Sequence, residues 1–321
     1  MAVQDPVRTN SRPKFFPALI IILAAMSILF FIGGPSYHSP RSLKAFWNLG
    51  HLLYFAFLPL LLFSFSPGNQ IKPVFQVSII FVITLGLGAL VEFFQYGFNR
   101  TPDMGDIFRN MIGACIAIAF LLPIRKSVPK TPMLIFKTTL IILVVSQFYP
   151  IVIALVDEHQ ARRNFPVLSD FQTPFQNHRW TGDADIKIEN IGSQGNRAMR
   201  VDLTTQIYSG VALKYFPANW LQYQWFQFRI YNPSADAIKI TCRIHDKKHT
   251  QDVQRYQDRF NTTRSLSQGW NTVTISLEEI RRAPDNRQMD LSQIYGIGFF
   301  ASRLPHPRKI YIDDVKLYNL I

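Results

Sequence analysis

The sequence predicts an α-helical transmembrane bundle of about five helices followed by an all-β jelly-roll sandwich domain. Long apolar runs fill the first half of the chain, and each is close to the ~17–25 residues needed to cross a bilayer. Short strand-like runs separated by turn residues fill the second half. Charged residues make up 17% of the chain, against about 25% in typical soluble proteins. This composition excludes a disordered chain, a collagen and a coiled coil.

The apolar runs define the helical part of the predicted domain organisation. Residues 1–14 are a predicted cytoplasmic N-terminus, and residues 15–157 are a predicted transmembrane domain. A short linker over 158–164 precedes the sandwich, residues 165–321. The five predicted spans are roughly 15–32, 46–65, 73–95, 106–124 and 133–156.

Positive charges near the spans predict which side of the membrane each loop occupies. Arg8, Arg12 and Lys14 precede the first span, and cytoplasmic loops are richer in Lys and Arg than exported ones. With the N-terminus inside, the predicted inner loops hold more basic residues than the outer loops. We therefore expect a multi-pass protein of the cytoplasmic (inner) membrane. Five crossings would place the sandwich outside the cytoplasm.

The second half predicts a sandwich because its strand-like runs recur with turn signals between them. Asn232-Pro233-Ser234 and Gln268-Gly269 are such signals. The predicted strands are Asp185–Ile191, Ala198–Leu203, Gly210–Phe216, Trp225–Tyr231, Ala237–Ile244, Trp270–Leu277, Tyr295–Ala301 and Lys309–Tyr318.

Charge and cysteine content limit the classes of partner. The net charge is +13, which suits contact with anionic lipid or an anionic envelope polymer. No basic helix or RNA-binding motif is present, so we expect no nucleic-acid partner. The two cysteines, Cys115 and Cys242, exclude a disulfide scaffold and a zinc site built on paired cysteines.

Polar residues inside the apolar half are the first candidate site, because a charge in the bilayer is expensive. Helical spacing places them in pairs on shared faces. They are His51 with Tyr54, Glu92 with Gln95, and Asp106 with Asn110. The predicted topology brings all of them, with Arg100, to the outer membrane face. They would form a ligand-binding pocket there, in which Arg100 neutralises an acid or holds an anionic headgroup.

Each of these residues also has a purely structural interpretation. The sequence leaves both the structural and the ligand-binding interpretation open. Glu92 near a helix end would reach the interface or pair with Arg100. Asp106 would cap the fourth helix. His51 would be a buried histidine with satisfied hydrogen bonds, and Gly113 would serve helix packing.

The same residues resemble the VanZ-like family of bacterial membrane proteins over about residues 15–125. The matching motifs are Glu92-Phe-Phe-Gln95, Arg100-Thr-Pro-Asp103-Met-Gly-Asp106 and Ile107-Phe-Arg-Asn110-Met-Ile-Gly113, with His51 and Tyr54 before them. The chain departs from the family pattern at residues 48–50. The family often has an acid and a lysine in this stretch, whereas this chain has Asn, Leu and Gly. The resemblance implies a role at the cell envelope and implies no particular reaction.

The second half resembles the galactose-binding-like jelly rolls, or carbohydrate-binding modules, of carbohydrate-active enzymes. The stretches that carry the resemblance are Gly269–Val273, Ile294–Phe299 and Ile310–Val315. Sugar binding needs exposed aromatic faces beside hydrogen-bonding groups. The principal candidates are Trp220, Tyr223, Tyr256 and Arg259, from a wider set with Trp180, Tyr208, Trp225, Arg255, Asp258 and Asn261.

Some of these aromatic residues would instead be core, Trp225 and Trp270 above all. We expect no metal or cofactor, with a structural calcium at Asp313 or Asp314 as the alternative. His245, Asp246 and His249 could suggest a metal site, but the sequence does not complete a ligand set at a recognised metal-binding spacing. We therefore interpret them as the polar end of a strand.

Three functions remain open from the sequence. The first is a non-enzymatic envelope protein that binds envelope polysaccharide or a lipid-linked glycan. The second is a membrane enzyme acting on a lipid-linked phosphate or glycan, with Glu92, Asp106 and His51 as candidate catalytic residues. The third is a passive membrane anchor for the sandwich. The sequence favours the first of these.

Overall fold

The computed structural model describes residues 16–32, 34–36, 39–65, 71–97, 103–193 and 197–320, with only the backbone described at 64, 65 and 95–97. The chain divides into two compact units, Met1–Val152 and Ile153–Ile321. The first is helical and the second is mainly β.

Six helices carry the first half of the chain, and the division between the units lies inside the sixth. They are α1 (Phe16–Leu29), α2 (Arg41–Phe65), α3 (Pro73–Gly97), α4 (Met104–Ile116), α5 (Lys130–Ser146) and α6 (Tyr149–Arg163). By length and apolar composition, four segments of the described chain are able to cross a membrane: Arg41–Phe63, Pro73–Phe94, Met104–Leu121 and Lys130–Arg163. Phe16–Leu29 is a shorter apolar helix. The prediction of five crossings remains a prediction.

Close packing of α2 on α4 is the main feature of the first unit. A Cβ atom added at Gly113 would lie 2.4 Å from the backbone oxygen of Leu52 and 3.0 Å from the backbone nitrogen of Ala56. A side chain at 113 would therefore collide with backbone. Small residues permit such approaches between membrane helices, so the packing role predicted for Gly113 agrees with the geometry.

Eleven strands and two short helices form the described part of the second unit. The strands are β1 (Val167–Ser169), β2 (Trp180–Gly182), β3 (Asp185–Glu189), β4 (Ala198–Leu203), β5 (Tyr208–Leu213), β6 (Trp225–Asn232), β7 (Ile238–Asp246), β8 (Phe260–Leu266), β9 (Gly269–Ser276), β10 (Ile294–Ser302) and β11 (Arg308–Tyr318). Helix α7 (Lys247–Gln251) follows β7, and α8 (Leu277–Arg282) follows β9.

The strands form two antiparallel sheets packed face to face, which confirms the predicted all-β sandwich. One sheet has six strands in the order β3-β4-β11-β6-β9, with β1 also paired to β11. The other has five strands in the order β2-β5-β10-β7-β8. Alternating residues of both sheets point inward, as in β7, where Ile238, Ile240, Cys242 and Ile244 are buried.

All eight predicted strands exist, with ends that differ by a few residues. The sequence reading missed β1, β2 and β8. The first two have only three residues each, and β8 reads Phe-Asn-Thr-Thr-Arg-Ser-Leu, which is mostly polar. The predicted linker over 158–164 differs from the structure, because α6 continues as helix to Arg163.

Candidate functional site

A polar cluster between α2 and α4 contains three of the residues predicted for the membrane pocket. His51 Nδ1 lies 3.1 Å from Asn110 Oδ1. Since a carboxamide oxygen only accepts hydrogen bonds, Nδ1 is the donor. His51 Nε2 lies 3.6 Å from Asp106 Oδ2. All three side chains are buried, so the convergence predicted from helical spacing is present.

Arg109 also belongs to this polar cluster. Its guanidinium lies 2.5 Å from Asp106 Oδ1 and 3.6 Å from Asp103 Oδ2. Asp106 therefore lies between a histidine and an arginine. The predicted residues Arg100 and the side chain of Gln95 lie outside the described residues.

Glu92 joins α3 to the start of α4. Its Oε2 atom accepts a hydrogen bond from the backbone N–H of Asp103, at 2.9 Å. Asp103, rather than Asp106, caps α4, because its carboxylate accepts from the N–H of Gly105 at 2.8 Å. Glu92 Oε1 and Asn110 Nδ2 are buried without a hydrogen-bond partner among the described residues.

An apolar cavity of about 460 Å³ lies between α1, α2 and α3. Its polar groups are Tyr54 and Ser27, whose hydroxyls are 3.1 Å apart. Phe30, which also lines the cavity, packs against the ring of His51 with 4.6 Å between ring centroids. Phe30 thus lies between the cavity and the polar cluster. Its lining is Ser27, Phe30, Phe31, Tyr54, Phe55, Leu87, Leu90, Val91 and Phe94.

Trp220 is not a ligand-binding residue, which corrects the sequence-based prediction. It is fully buried, stacked on Phe226 with 5.4 Å between ring centroids. Its position after β5, in a stretch without regular structure, concealed this role. Tyr223 is half-buried and packs edge-on against Phe165. Trp180 is also core.

The outer face of the five-stranded sheet contains the second candidate site. Strand register places one row of residues straight across all five strands, since paired residues of antiparallel strands share a face. The row is Asn261, Arg243, Gly298, Ala212 and Thr181. The next row holds Thr263, Thr241, Phe300 and Gly210. Small residues in the middle leave room along the face.

Arginine side chains lie against aromatic rings on this face. The guanidinium carbon of Arg243 is 5.9 Å from the Phe300 ring centroid, and that of Arg259 is 5.4 Å from the Tyr256 centroid. Tyr208 packs edge-on against Phe300 at 5.8 Å. Both Tyr208 and Tyr256 are exposed. Aromatic faces beside hydrogen-bond donors are the combination that pyranose recognition requires.

Three polar atoms at this site are buried without a hydrogen-bond partner among the described residues: Arg243 Nε, Arg259 Nε and Asn261 Oδ1. Burial lowers the pKa of Arg243, and the neighbouring charge of Arg259 lowers it further. Burial also lowers the pKa of Arg259. The face is therefore electropositive, and it holds two donor atoms and one acceptor atom whose hydrogen-bonding capacity is unused.

A cavity of about 480 Å³ extends this face past the start of β8. It includes two predicted residues, Tyr256 and Arg259, and two acids, Glu279 and Asp285. The complete lining is Tyr256, Gln257, Arg259, Phe260, Asn261, Glu279, Arg282, Ala283 and Asp285. The sequence-based prediction of Tyr256 and Arg259 as binding residues stays a prediction, now with a defined cavity.

His249, Asp246 and Asp258 belong to a salt-bridge network centred on Arg287. The Arg287 guanidinium contacts Asp246 at 2.5 Å and Asp258 at 2.6 Å. His249 Nδ1 lies 3.1 Å from Asp258 Oδ2. No group of three or more His, Cys, Asp or Glu residues within the described ranges has the geometry to hold a metal ion.

Asp313 and Asp314, the candidates for a structural calcium, contact hydrogen-bond donors. Asp313 Oδ2 accepts from the N–H and the hydroxyl of Ser193, both at 2.8 Å. Asp314 Oδ2 lies 2.9 Å from Lys316 Nζ. Calcium binding here remains a prediction.

The outer face of the six-stranded sheet has an aromatic row of its own. Tyr231 lies 5.3 Å from Trp270 and 5.9 Å from Tyr311, measured between ring centroids. These rings are half-buried and tilted or edge-on to each other. Next to them, Arg200 pairs with Glu189 and Asp202, so the guanidinium there already has carboxylate partners.

Arg243 and Phe300 are site residues that the sequence reading missed. The signal was present in β7, where Lys239, Thr241, Arg243 and His245 alternate with buried aliphatic residues. That alternation assigns Arg243 to an outer face. Its proximity to Arg259 depends on the pairing of β7 with β8, which the sequence alone does not reveal.

Comparison with protein families confirms the resemblance of the first half. The family model described as VanZ/LLP1 matches residues 5–125. The chain therefore contains a VanZ-like domain, and together with the four long apolar helices this identifies a membrane protein. No curated protein matches the chain.

Solved structures similar to this chain include carbohydrate-binding sandwiches. One is the family 11 carbohydrate-binding module from Clostridium thermocellum in complex with a β-1,3-1,4-mixed-linked tetrasaccharide, at 19% identity, 48% coverage of this chain, 95% of that chain and a TM-score of 0.38. Another is the family 11 module of a cellulosomal cellulase of the same organism, at 18% identity and a TM-score of 0.36. The match covers 48% of this chain and 94% of that chain. An exo-β-agarase matches at 15% identity and a TM-score of 0.37, over 48% of this chain and 25% of that chain. At these identities and TM-scores the likeness says nothing of the ligand.

Proposed function

We propose that this chain is an envelope protein whose VanZ-like domain holds it in the membrane and whose sandwich binds polysaccharide on the outer face of the five-stranded sheet. The observation that carries the proposal is the set of unpartnered polar atoms at Arg243, Arg259 and Asn261. A buried polar group without a hydrogen bond costs roughly 1–3 kcal/mol, so a ligand that supplies hydrogen bonds there is favoured.

The aromatic rings beside these atoms support a sugar as that ligand. Tyr208 and Tyr256 are exposed to about two thirds, at 66% and 63%. An exposed ring beside polar groups with unused hydrogen-bonding capacity can pack on the apolar face of a sugar while those groups bind its hydroxyls. The six-stranded sheet fits less well, because its arginine at position 200 is paired with two acids.

Glycan binding can be tested with the full chain in lipid nanodiscs on a polysaccharide array. We expect retention of at least one polysaccharide, and an affinity loss of about tenfold for Tyr256→Ala and for Tyr208→Ala, since aromatic contacts contribute about 1 kcal/mol or more. Leu221→Ala is the control, because Leu221 is also exposed and lies in neither site. Equal binding by all variants, or no binding, would refute the proposal.

The proposal also places the sandwich outside the cytoplasm. The excess of basic residues on one side of the predicted spans supports this orientation. It also requires the shorter apolar helix Phe16–Leu29 to cross the membrane as a fifth span beside the four long ones. Alkaline phosphatase fused after residue 321 should be active, because it folds only after export. Activity of a cytoplasmic reporter at that position would refute the orientation.

The polar cluster of the first unit supports a second candidate function, binding of a lipid-linked phosphate or glycan. The apolar cavity of about 460 Å³ would take the lipid chain, and His51 and Asn110 would lie near its polar end. In the enzymatic alternative, Nδ1 of His51 keeps its proton hydrogen-bonded to Asn110, and Nε2 would accept the proton that the substrate loses. The Asp106 carboxylate, 3.6 Å from Nε2, would stabilise the resulting imidazolium.

A photoreactive polyprenyl phosphate tests this second function. We expect it to label α1 to α3 around the cavity, and labelling to fall when Leu87→Trp fills the space. Labelling confined to α5 would indicate ordinary lipid contact. If Glu92→Gln and Asp106→Asn then leave lipid labelling and every envelope phenotype unchanged, the first unit is a passive anchor.

A further inference from the structure

Two arginines of the proposed glycan site, Arg243 and Arg259, lack carboxylate partners among the described residues. Three other arginines of the sandwich are paired with carboxylates: Arg179 with Asp157, Arg200 with Asp202, and Arg287 with Asp246. Arg229 and Arg308 instead donate to neutral oxygens. A half-buried guanidinium without an acid is costly, because burial removes water from the charge. Arg243 and Arg259 differ from these arginines because the Nε atom of each is buried without a hydrogen-bond partner among the described residues, and they lie close together on one sheet face.

A third cation, Lys214, lies near the two arginines. Burial and the charge of Arg243 both lower the pKa of Lys214, so this lysine lies within electrostatic reach of Arg243. The nearest acid in sequence, Asp258, is held by Arg287 and His249. Glu279 and Asp285 line the adjoining cavity, but neither forms an ion pair with Arg259.

The guanidinium groups are also held in place, which suits recognition of an anion. Arg243 lies over Gly298, where an added Cβ would be 3.4 Å from its Nε atom, and it packs against Phe300. Arg259 packs against Tyr256. A guanidinium oriented by an aromatic face loses little side-chain entropy when it binds a carboxylate or a sulfate.

From this geometry we propose that the glycan is anionic, with a carboxylate, sulfate or phosphate group of the sugar bound by Arg243 and Arg259. The inference rests on the proposed glycan binding and specifies its ligand class. The aromatic rings of Tyr208, Tyr256 and Phe300 would contact the sugar faces, and the two arginines would select for charge. A neutral polysaccharide would leave both guanidinium groups without a counter-charge.

Two pairs of polymers, each with a charged and an uncharged form of the same backbone, test the inference. The full chain in nanodiscs made from neutral lipid is titrated with polygalacturonate and with methyl-esterified polygalacturonate, and separately with κ-carrageenan and with desulfated κ-carrageenan. The first pair varies a carboxylate and the second a sulfate on a galactan. Binding is measured at low and at high salt, because an electrostatic contribution is screened by salt.

We expect at least one charged polymer to bind tenfold or more tightly than its neutral partner, and high salt to reduce that ratio. Arg243→Gln and Arg259→Gln should each reduce the ratio to threefold or less. Arg229→Gln is the control, since it removes the same charge from the outer face of the six-stranded sheet, where Arg229 Nε donates to Thr272.

The outcomes separate the inference from the function on which it rests. Equal affinity for charged and neutral polymers would overturn the anionic ligand and leave glycan binding intact. A preference for charge that Arg229→Gln reduces as much as Arg243→Gln would reflect net charge alone and would also overturn it. Absence of binding to all four polymers would contradict both proposals.

Discussion

Asp157 in α6 and Arg179 before β2 form a fully buried ion pair within the second unit. The Arg179 Nε atom lies 3.0 Å from both carboxylate oxygens, and a terminal guanidinium nitrogen lies 2.7 Å from Oδ1. Each side chain is only 3% exposed. The pair also orients Arg179 to donate to the backbone oxygen of Leu168 at 2.9 Å. The final turns of α6 are thus part of the sandwich fold.

Asp157→Ala should destabilise the sandwich by about 3–5 kcal/mol, because it leaves the charge of Arg179 buried and unpaired. Unfolding by denaturant followed by tryptophan fluorescence measures this, since four of the five tryptophans lie in the second unit. Arg162→Met, an exposed change on the same helix, is the control. The double variant Asp157→Leu with Arg179→Met should lose less stability than Asp157→Ala; an equal or larger loss would contradict this account.

Gly113→Ala should disrupt the packing of α2 against α4. The added Cβ would approach the backbone oxygen of Leu52 to 2.4 Å, and overpacking of this kind costs about 1–3 kcal/mol. Thermal stability in detergent, followed by size-exclusion chromatography, should fall for this variant. Gly50→Ala and Gly86→Ala are controls because no atom lies within 4 Å of their added Cβ. Similar losses for all three variants would rule out a specific contact at 113.

His51 and Asn110 should show a favourable coupling of about 1 kcal/mol in a double-mutant cycle, the usual contribution of a buried hydrogen bond. The cycle uses His51→Ala, Asn110→Ala and the double variant, with thermal stability as the measurement. His51→Ala combined with Thr138→Ala, an exposed change on α5, should be additive. Additivity for the first pair would mean that the 3.1 Å contact contributes nothing.

The stability of the sandwich should fall as the pH is lowered below about 4, the ordinary pKa of aspartate. Hydrogen bonds from Arg287 lower the pKa of Asp258. For Asp246, burial opposes this effect, but hydrogen bonds from Arg287 and from two backbone N–H groups outweigh it and lower the pKa. A carboxyl with a lowered folded-state pKa stabilises the fold above the unfolded pKa, and that stability is lost as pH falls through the folded value.

Arg287→Met should therefore destabilise the sandwich by about 3 kcal/mol at pH 7, because it leaves Asp246 buried without its counter-charge. The difference between variant and wild type should shrink below pH 4. Arg282→Met is the control, since Arg282 forms only an exposed pair with Glu278. A difference that does not vary with pH would show that the carboxylates do not carry the effect.

The periodicity of polar and apolar residues predicted those features that depend on residue spacing within a single helix or strand. His51, Asp106 and Asn110 converge because each lies on a helix face that apolar spacing defines. The eight predicted strands follow from runs of β-branched and aromatic residues between turns. The VanZ-like resemblance rested on motifs within two consecutive helices, and the family match confirms it.

Features that depend on contacts between distant segments could not be predicted from the sequence in the same way. Trp220 reads as a loop residue, yet it packs into the core beside Phe226. The proximity of Arg243 to Arg259 arises from strand pairing, and no local pattern encodes it.

The location of the bound glycan tests the central claim most directly. Hydroxyl-radical footprinting of the full chain in nanodiscs, with and without the polysaccharide that binds most tightly, reports the solvent access of each aromatic ring. Our account predicts protection of Tyr208, Tyr256 and Phe300 with no change at Tyr231 and Trp270. Protection of Tyr231 and Trp270 while Tyr208 and Tyr256 stay reactive would contradict it and move the site to the six-stranded sheet.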